Sequence, residues 1–256
     1  MLHVETVGAG PDLVLIHGWA MHAGIFAPLT PLLAAHFRVH LVDLPGHGFS
    51  RDDDGAVDAR DWAARIAAAV PSPAIWVGWS MGGLVALHAA IDAPNNVLGL
   101  VEIAESPKLL AASDWSYGVA APVLAEFGAG LQRDYRRAIE RFLALELIGS
   151  TNAQSMLRDL KARVFERGDP AMRVLVDGLQ VLETTDLRAD LEHLRMPSLW
   201  IGGRRDRLIA AAAMRWSAER APNGRYIEID SGHAPFLSHS REVADAILAF
   251  AAELAA

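Results

Sequence analysis

There is no cysteine anywhere in the 256 residues. Disulfides and thiolate metal sites are therefore excluded, which agrees with a cytoplasmic protein. Long apolar runs are missing too. Each is broken by charge, Gly or Pro before it reaches the roughly 20 residues that a membrane helix needs. The opening MLHVETVGAG has no basic region followed by an apolar stretch, so no secretory signal is expected. Basic charge is in deficit. The 23 Lys+Arg against 31 Asp+Glu leave a net charge of −8, which argues against a nucleic-acid partner. Internal repeats and low-complexity linkers are also absent.

Apolar residues make up 52% of the chain, enough for a sizeable core in one large domain or in a core domain with an insertion. The charge is unevenly spread. Residues 107–185 hold ten Lys+Arg and ten Asp+Glu, and the rest holds 13 against 21. The excess negative charge thus lies outside the middle segment, which reads as a separate unit.

Short, nearly continuous apolar runs at 13–16, 38–42, 74–77, 99–103, 198–201 and 225–229 predict parallel strands covered on both faces. Helical periodicity fills the gaps at 26–35, 59–70, 81–90 and 212–220, and a terminal helix is expected at 241–254. This alternation predicts an α/β fold with a doubly wound, mostly parallel sheet. It breaks after 103, where amphipathic stretches such as 132–148 and 153–165 replace strands. The expected organisation is a core of 1–106 and 188–256 with an all-helical cap of 107–187 over the sheet's carboxyl edge, where open α/β sheets place ligands.

The stretch GWSMGG at 78–83 lies at a predicted strand-to-helix junction. A G-x-S-x-G there is a nucleophile elbow with Ser80 exposed at its apex; the bland alternative is a tight turn with an idle serine. A serine hydroxyl needs a base. His233, in IDSGHAPF after the last predicted strand, should emerge at the same edge as Ser80. His17, His36, His40, His88, His193 and His239 are less well placed. A carboxylate must then hold the imidazole. Asp206, after the penultimate strand, fits the chain order Ser, Asp, His of this arrangement. It could instead pair with Arg204 or Arg207 on the surface, leaving Asp186 or Asp230 as weaker substitutes. The oxyanion donors should be the Met81 N–H, next to the nucleophile, and the Trp19 N–H in the HGW loop of 17–19.

HGW, DLPGHGFS at 43–50, GWSMGG, the Asp206 turn and SGHAPF at 231–236 together resemble the α/β-hydrolases over essentially the full length. HLVDLPGHGFS, AIWVGWSMGGLVA, ERFLALE at 140–146, TTDLR at 184–188 and HAPFLSH at 233–239 further resemble the pimeloyl-[acyl-carrier protein] methyl ester esterases of biotin synthesis. That resemblance implies a serine carboxylesterase needing no metal or organic cofactor. It implies a substrate site of Trp19, Ser80, Met81, Phe142, Leu143, Ala144, Leu145, Glu146 and His233. Trp19, Trp79, Met81 and Phe142 could form an apolar slot, although core packing fits Trp79 better and Phe142 equally well. The partner implied is an acidic acyl carrier protein, docked on Arg137, Arg141 and Arg158. Arg133, Arg137 and Arg141 are spaced four apart, as on one helix face, which could equally be a solvated face pairing locally with Asp134 or Glu140. Gln154, Glu146 and Glu105 depart from the family pattern, and a carboxylate near an apolar slot bears on the substrate. A monomer is expected. The other readings are a general small-ester or C–C bond hydrolase, a cofactor-free perhydrolase, and a non-catalytic ligand receptor on the same scaffold.

Overall fold

The computed structural model describes residues 1–146, 148 and 153–255; the side chains at 145, 146, 153, 155, 156 and 159 are outside the described part. Among the described residues seven strands form one sheet: β1 (His3–Gly8), β2 (Asp12–Ile16), β3 (Arg38–Asp43), β4 (Ala74–Trp79), β5 (Val97–Ile103), β6 (Ser198–Gly203) and β7 (Gly224–Ile229). Their order is β1-β3-β2-β4-β5-β6-β7, parallel throughout except for β1 against β3. All six strands expected from apolar runs form. The seventh, β1, has no such run: Glu5 and Thr6 are exposed on a sheet edge, so its sequence lacks the signature of a covered strand.

The helices are α1 (Thr30–Ala34), α2 (Ala59–Ala69), α3 (Met81–Asp92), α4 (Ala121–Arg133), α5 (Tyr135–Glu146), α6 (Ala153–Val164), α7 (Met172–Thr184), α8 (Ala211–Arg220), α9 (Pro235–Ser238) and α10 (Ser240–Leu254). Every residue of β4 and of β6 is buried, which requires cover on both faces. The expected helix at 26–35 is reduced to a 3₁₀ turn at Ala23–Phe26 and the short α1. Pro28 and Pro31 supply no amide proton to a continuous helix. No helix of the described residues is long and apolar enough to cross a membrane.

From β2 the chain moves outward to β3 and then returns past β2 to β4. The strand order therefore reverses between β2 and β4, and their carboxyl ends border the crevice where such sheets bind ligands. The connection from β5 to β6 carries α4 to α7. The stretch read as one helix at 132–148 is broken. α4 ends at Arg133, and Asp134 leaves helical geometry with φ −158°. The Asp134 carboxylate accepts the Arg137 N–H at 3.2 Å, capping the start of α5. Arg133 thus belongs to a different helix from Arg137 and Arg141.

Polar links tie the α6–α7 end of this insertion to the sheet. Arg167 donates to buried Asp43 at 3.1 Å and to Glu5 at 3.2 Å. His22 donates from Nε2 to the Arg163 carbonyl at 2.7 Å, and Ala171 N–H donates to the Gly46 carbonyl at 3.0 Å. Gly46 has φ 78°, and a Cβ there would run into Val174 of α7. Burial alone would raise the Asp43 carboxyl. The Ala23 and Phe49 amides and the Arg167 guanidinium outweigh that and hold it below the usual carboxylate range.

A folded-state value below the unfolded one gives stability that is present above the ordinary carboxylate range and is lost as pH falls through the folded value. Asp43→Asn should therefore lower Tm by several degrees at neutral pH. The gap to the parent should hold down to about pH 5 and shrink below about pH 4. Melts from pH 7 to pH 3 check this, and a gap independent of pH would show that the charge is not what fastens these helices.

Candidate active site

β4 ends at Trp79 and α3 begins at Met81, so one residue makes the turn. That residue, Ser80, has φ 53° and ψ −126°, a conformation that side-chain-bearing residues rarely hold. The surroundings impose it. A Cβ on Gly78 would collide with the backbone of Gly82 and Gly83, and one on Gly82 with the Ile16 and His17 carbonyls. The Ser80 N–H donates to the Ile103 carbonyl at 3.0 Å, fixing the turn to β5. Among the described residues the other non-glycine residues with positive φ are Ala20 (62°) and Ala104 (48°). They follow β2 and β5, the strands flanking β4, so strain concentrates at one rim of the sheet.

His233, in the loop after β7, is 1% exposed. Its Nδ1 donates to Asp206 Oδ2 at 2.8 Å, and the Asp206 side chain is fully buried after β6. The other Asp206 oxygen accepts the Leu208 and Ile209 amides at 2.7 and 3.0 Å. The Trp79 indole donates to the His233 carbonyl at 2.9 Å, which fixes the imidazole's backbone. Its Nε2 has no hydrogen-bond partner among the described residues. Ser80 and His233 line the same cavity. The substitutes for Asp206 are engaged elsewhere: Asp186 with Lys108 and Arg188, Asp230 with Arg204 and Arg205.

The HGW loop lies against the elbow. A Cβ on Gly18 would sit 3.1 Å from Ser80 Cβ. His17 holds the loop from within: Nε2 accepts the Leu44 N–H at 2.9 Å, so the proton is on Nδ1, which donates to the Gly18 carbonyl at 2.8 Å. Burial and the neighbouring His47 push His17 down to about 3, which keeps it neutral in this role. Met81 is the first residue of α3, so its N–H has no acceptor within the helix.

The cavity measures about 540 Å³, within the range of small-molecule sites. Trp19 and Phe142 line it and meet edge to face at 5.2 Å. The Trp19 indole also donates to the Leu175 carbonyl of α7 at 2.9 Å. Other expected liners are elsewhere. Leu143 is fully buried in the core and Ala144 is not on the cavity wall, because successive helical residues point about 100° apart and a run of five cannot share one face. Trp79 and the Met81 side chain are buried in packing. Leu145 and Glu146 have side chains outside the described part. Arg133, Arg137 and Arg141 all line the cavity despite the helix break, whereas Arg158 is exposed on α6 away from it.

A model of the alpha/beta hydrolase family matches residues 13–246. This chain belongs to that family. It is 52% identical over 254 residues to the pimeloyl-[acyl-carrier protein] methyl ester esterase of Xanthomonas campestris, covering 99% of this chain and 100% of that one. The protein of the same name from Stenotrophomonas maltophilia is 51% identical, covering 99% and 97%. Among solved structures, a bromoperoxidase from Bacillus anthracis superposes with TM-score 0.90 at 21% identity, covering 97% of this chain and 94% of that one; the likeness is one of fold.

This hydrolase also buries two carboxyl groups at the same edge. Glu102, within β5, is fully buried and neither of its oxygens has a partner among the described residues. Glu105, just beyond β5, is 3% exposed and lines the cavity. Burial, and for Glu102 also the neighbouring Glu105, pushes both well above the ordinary carboxyl range. A raised folded-state value means stability that is full below the unfolded value and lost as pH rises through the folded one. Glu102→Gln, which mimics the protonated acid, should match the parent near pH 4 and become progressively more stable than it toward pH 8. Melting curves across that range measure the divergence, and parallel curves would refute a buried neutral acid.

Proposed function

We propose that the chain is a serine carboxylesterase that hydrolyses pimeloyl-[acyl-carrier protein] methyl ester to the pimeloyl carrier protein and methanol, without a metal or organic cofactor. The observation that carries the catalytic part is the buried His233–Asp206 pair, its Nε2 without a partner among the described residues, on the cavity that Ser80 also lines. The substrate rests on the full-length relatives of that name.

His233 Nε2 takes the Ser80 proton as the oxygen attacks the ester carbonyl. Asp206 holds the imidazole in the required tautomer and stabilises its cation. The tetrahedral oxyanion rests on the Trp19 and Met81 amides, reinforced by the positive end of α3. His233 then protonates the departing methoxide, and water attacks the acyl-enzyme by the same steps in reverse roles. Residues 107–187 act as a cap over this centre. The acyl chain lies along Trp19 and Phe142, and the exposed Arg137 and Arg141 at the cavity, with Arg158 beyond, face the acidic carrier. A monomer suffices, since every group named comes from one chain, and the reading places it in the cytoplasm with the carrier protein.

Ser80→Ala should lower ester turnover by several powers of ten, and Asp206→Asn by about 10⁴ in kcat. Full hydrolysis by Ser80→Ala ends the catalytic reading. For the substrate, kcat/KM on pimeloyl-carrier-protein methyl ester should exceed that on dimethyl pimelate, with the excess shrinking as salt rises. Arg141→Glu should reduce that excess about ten-fold. Equal, salt-insensitive rates on the two esters would favour a general small-ester hydrolase instead.

A further inference from the structure

Glu105 is a polar group of the cavity that this mechanism leaves idle. Its Cβ and Cγ pack on the first turn of α3: a Cβ on Gly83 would lie 2.8 Å from each. Gly83 is three residues beyond Ser80, roughly 4.5 Å further along the helix axis. Glu105 therefore packs on α3 about one helical turn beyond Ser80, and both residues line the cavity. The apolar residues Leu84, Pro107, Leu109 and Leu208 line the same cavity.

Among the described residues neither Glu105 nor Glu102 forms an ion pair. α3 brings only Gly83 and Leu84, and α8 brings Met214, whose sulfur accepts the Glu105 N–H. β5 brings Glu102, a second buried acid. The titratable and charged groups that share the cavity are His233, Glu126, Asp134 and the three arginines 133, 137 and 141. Burial pushes this carboxyl well above its ordinary range, opposed only in part by the Ser106 amide. In its protonated form it is an O–H donor in a cavity lined by both apolar and charged side chains.

Resting on the esterase reading above, we propose that Glu105 is a specificity-determining residue, donating a hydrogen bond to a second carbonyl oxygen in the acyl chain, away from the ester being cleaved. It selects esters of dicarboxylic acids over plain alkanoate esters. An all-methylene chain would strip this donor of water and return nothing, which disfavours it.

The test compares kcat/KM for dimethyl pimelate, halved for its two equivalent esters, with that for methyl nonanoate, a chain of matching length. The full-length enzyme and its Glu105→Gln and Glu105→Leu variants are measured from pH 6 to pH 9. The parent should prefer the diester by about ten-fold, the factor that one hydrogen bond supplies. Glu105→Gln, still a donor, should keep most of that preference, and Glu105→Leu should abolish it. As pH rises and Glu105 loses its proton, the parent's preference should fall while that of Glu105→Gln stays level. A parent without preference, a Glu105→Leu variant with the parent's ratio, or a Glu105→Gln variant with the parent's pH trend would each overturn the proposal. If Glu105→Leu does not fold, the pH comparison decides alone. The two readings fail separately: hydrolysis that survives Ser80→Ala removes the triad, whereas Ser80-dependent hydrolysis with an unmoved ratio removes only the role of Glu105.

Discussion

A serine held at φ 53° between a strand and a helix is an unfavourable local state, and the rest of the edge is arranged so that the chain has no better option. β4 and the start of α3 approach so closely that only glycine fits at 78 and 82, and the ends of β2 and β5 close the remaining space. The Ser80 amide continues the parallel ladder one residue past β4, onto the Ile103 carbonyl. The strain is thus opposed by the burial of the central strands, where a shift of backbone would open the packed core.

The same rim gathers side chains by different physical means. Asp206 is fixed by two backbone amides and fixes His233 in turn. His17 is kept neutral by burial and braces the loop that abuts Ser80. Above them the inserted helices meet the core in two ways. α6 and α7 are joined by hydrogen bonds from Arg167, Ala171 and His22, while α4 and α5 bring Phe127 and Phe142 onto the Trp19 ring. Trp19 thus touches both halves, since its indole also donates to α7. It couples the proposed oxyanion loop to the walls of the acyl slot.

Against that order, Glu102 and Glu105 stand out. Two carboxyls at the carboxyl end of a central strand, in no ion pair and no metal-binding cluster among the described residues, are pushed by burial toward the neutral acid. The fold tolerates them because the protonated form costs far less to bury than the ion, and one of the two faces a cavity where a ligand can complete its bonding.

Much of this was legible in the chain itself. Continuous apolar runs marked the six parallel strands, and spacing and chain order picked out Ser80, Asp206, His233 and the HGW loop, because those features are local or follow strand ends. β1 was not legible, since an exposed edge strand lacks the pattern of a buried one. Nor was the break at Asp134, where a capping side chain overrides helical periodicity. Which residues face the cavity depends on helix rotation and neighbouring elements, so Phe142 reaches it and Leu143 does not. The amino-acid order alone determined the α/β alternation and the strand-to-helix turn that carries Ser80. Only the tertiary structure decided that Glu105 opens into the slot with Glu102 buried behind it. A carboxyl's charge state depends on what surrounds it in space, and those surroundings come from β5, α3 and α8 together.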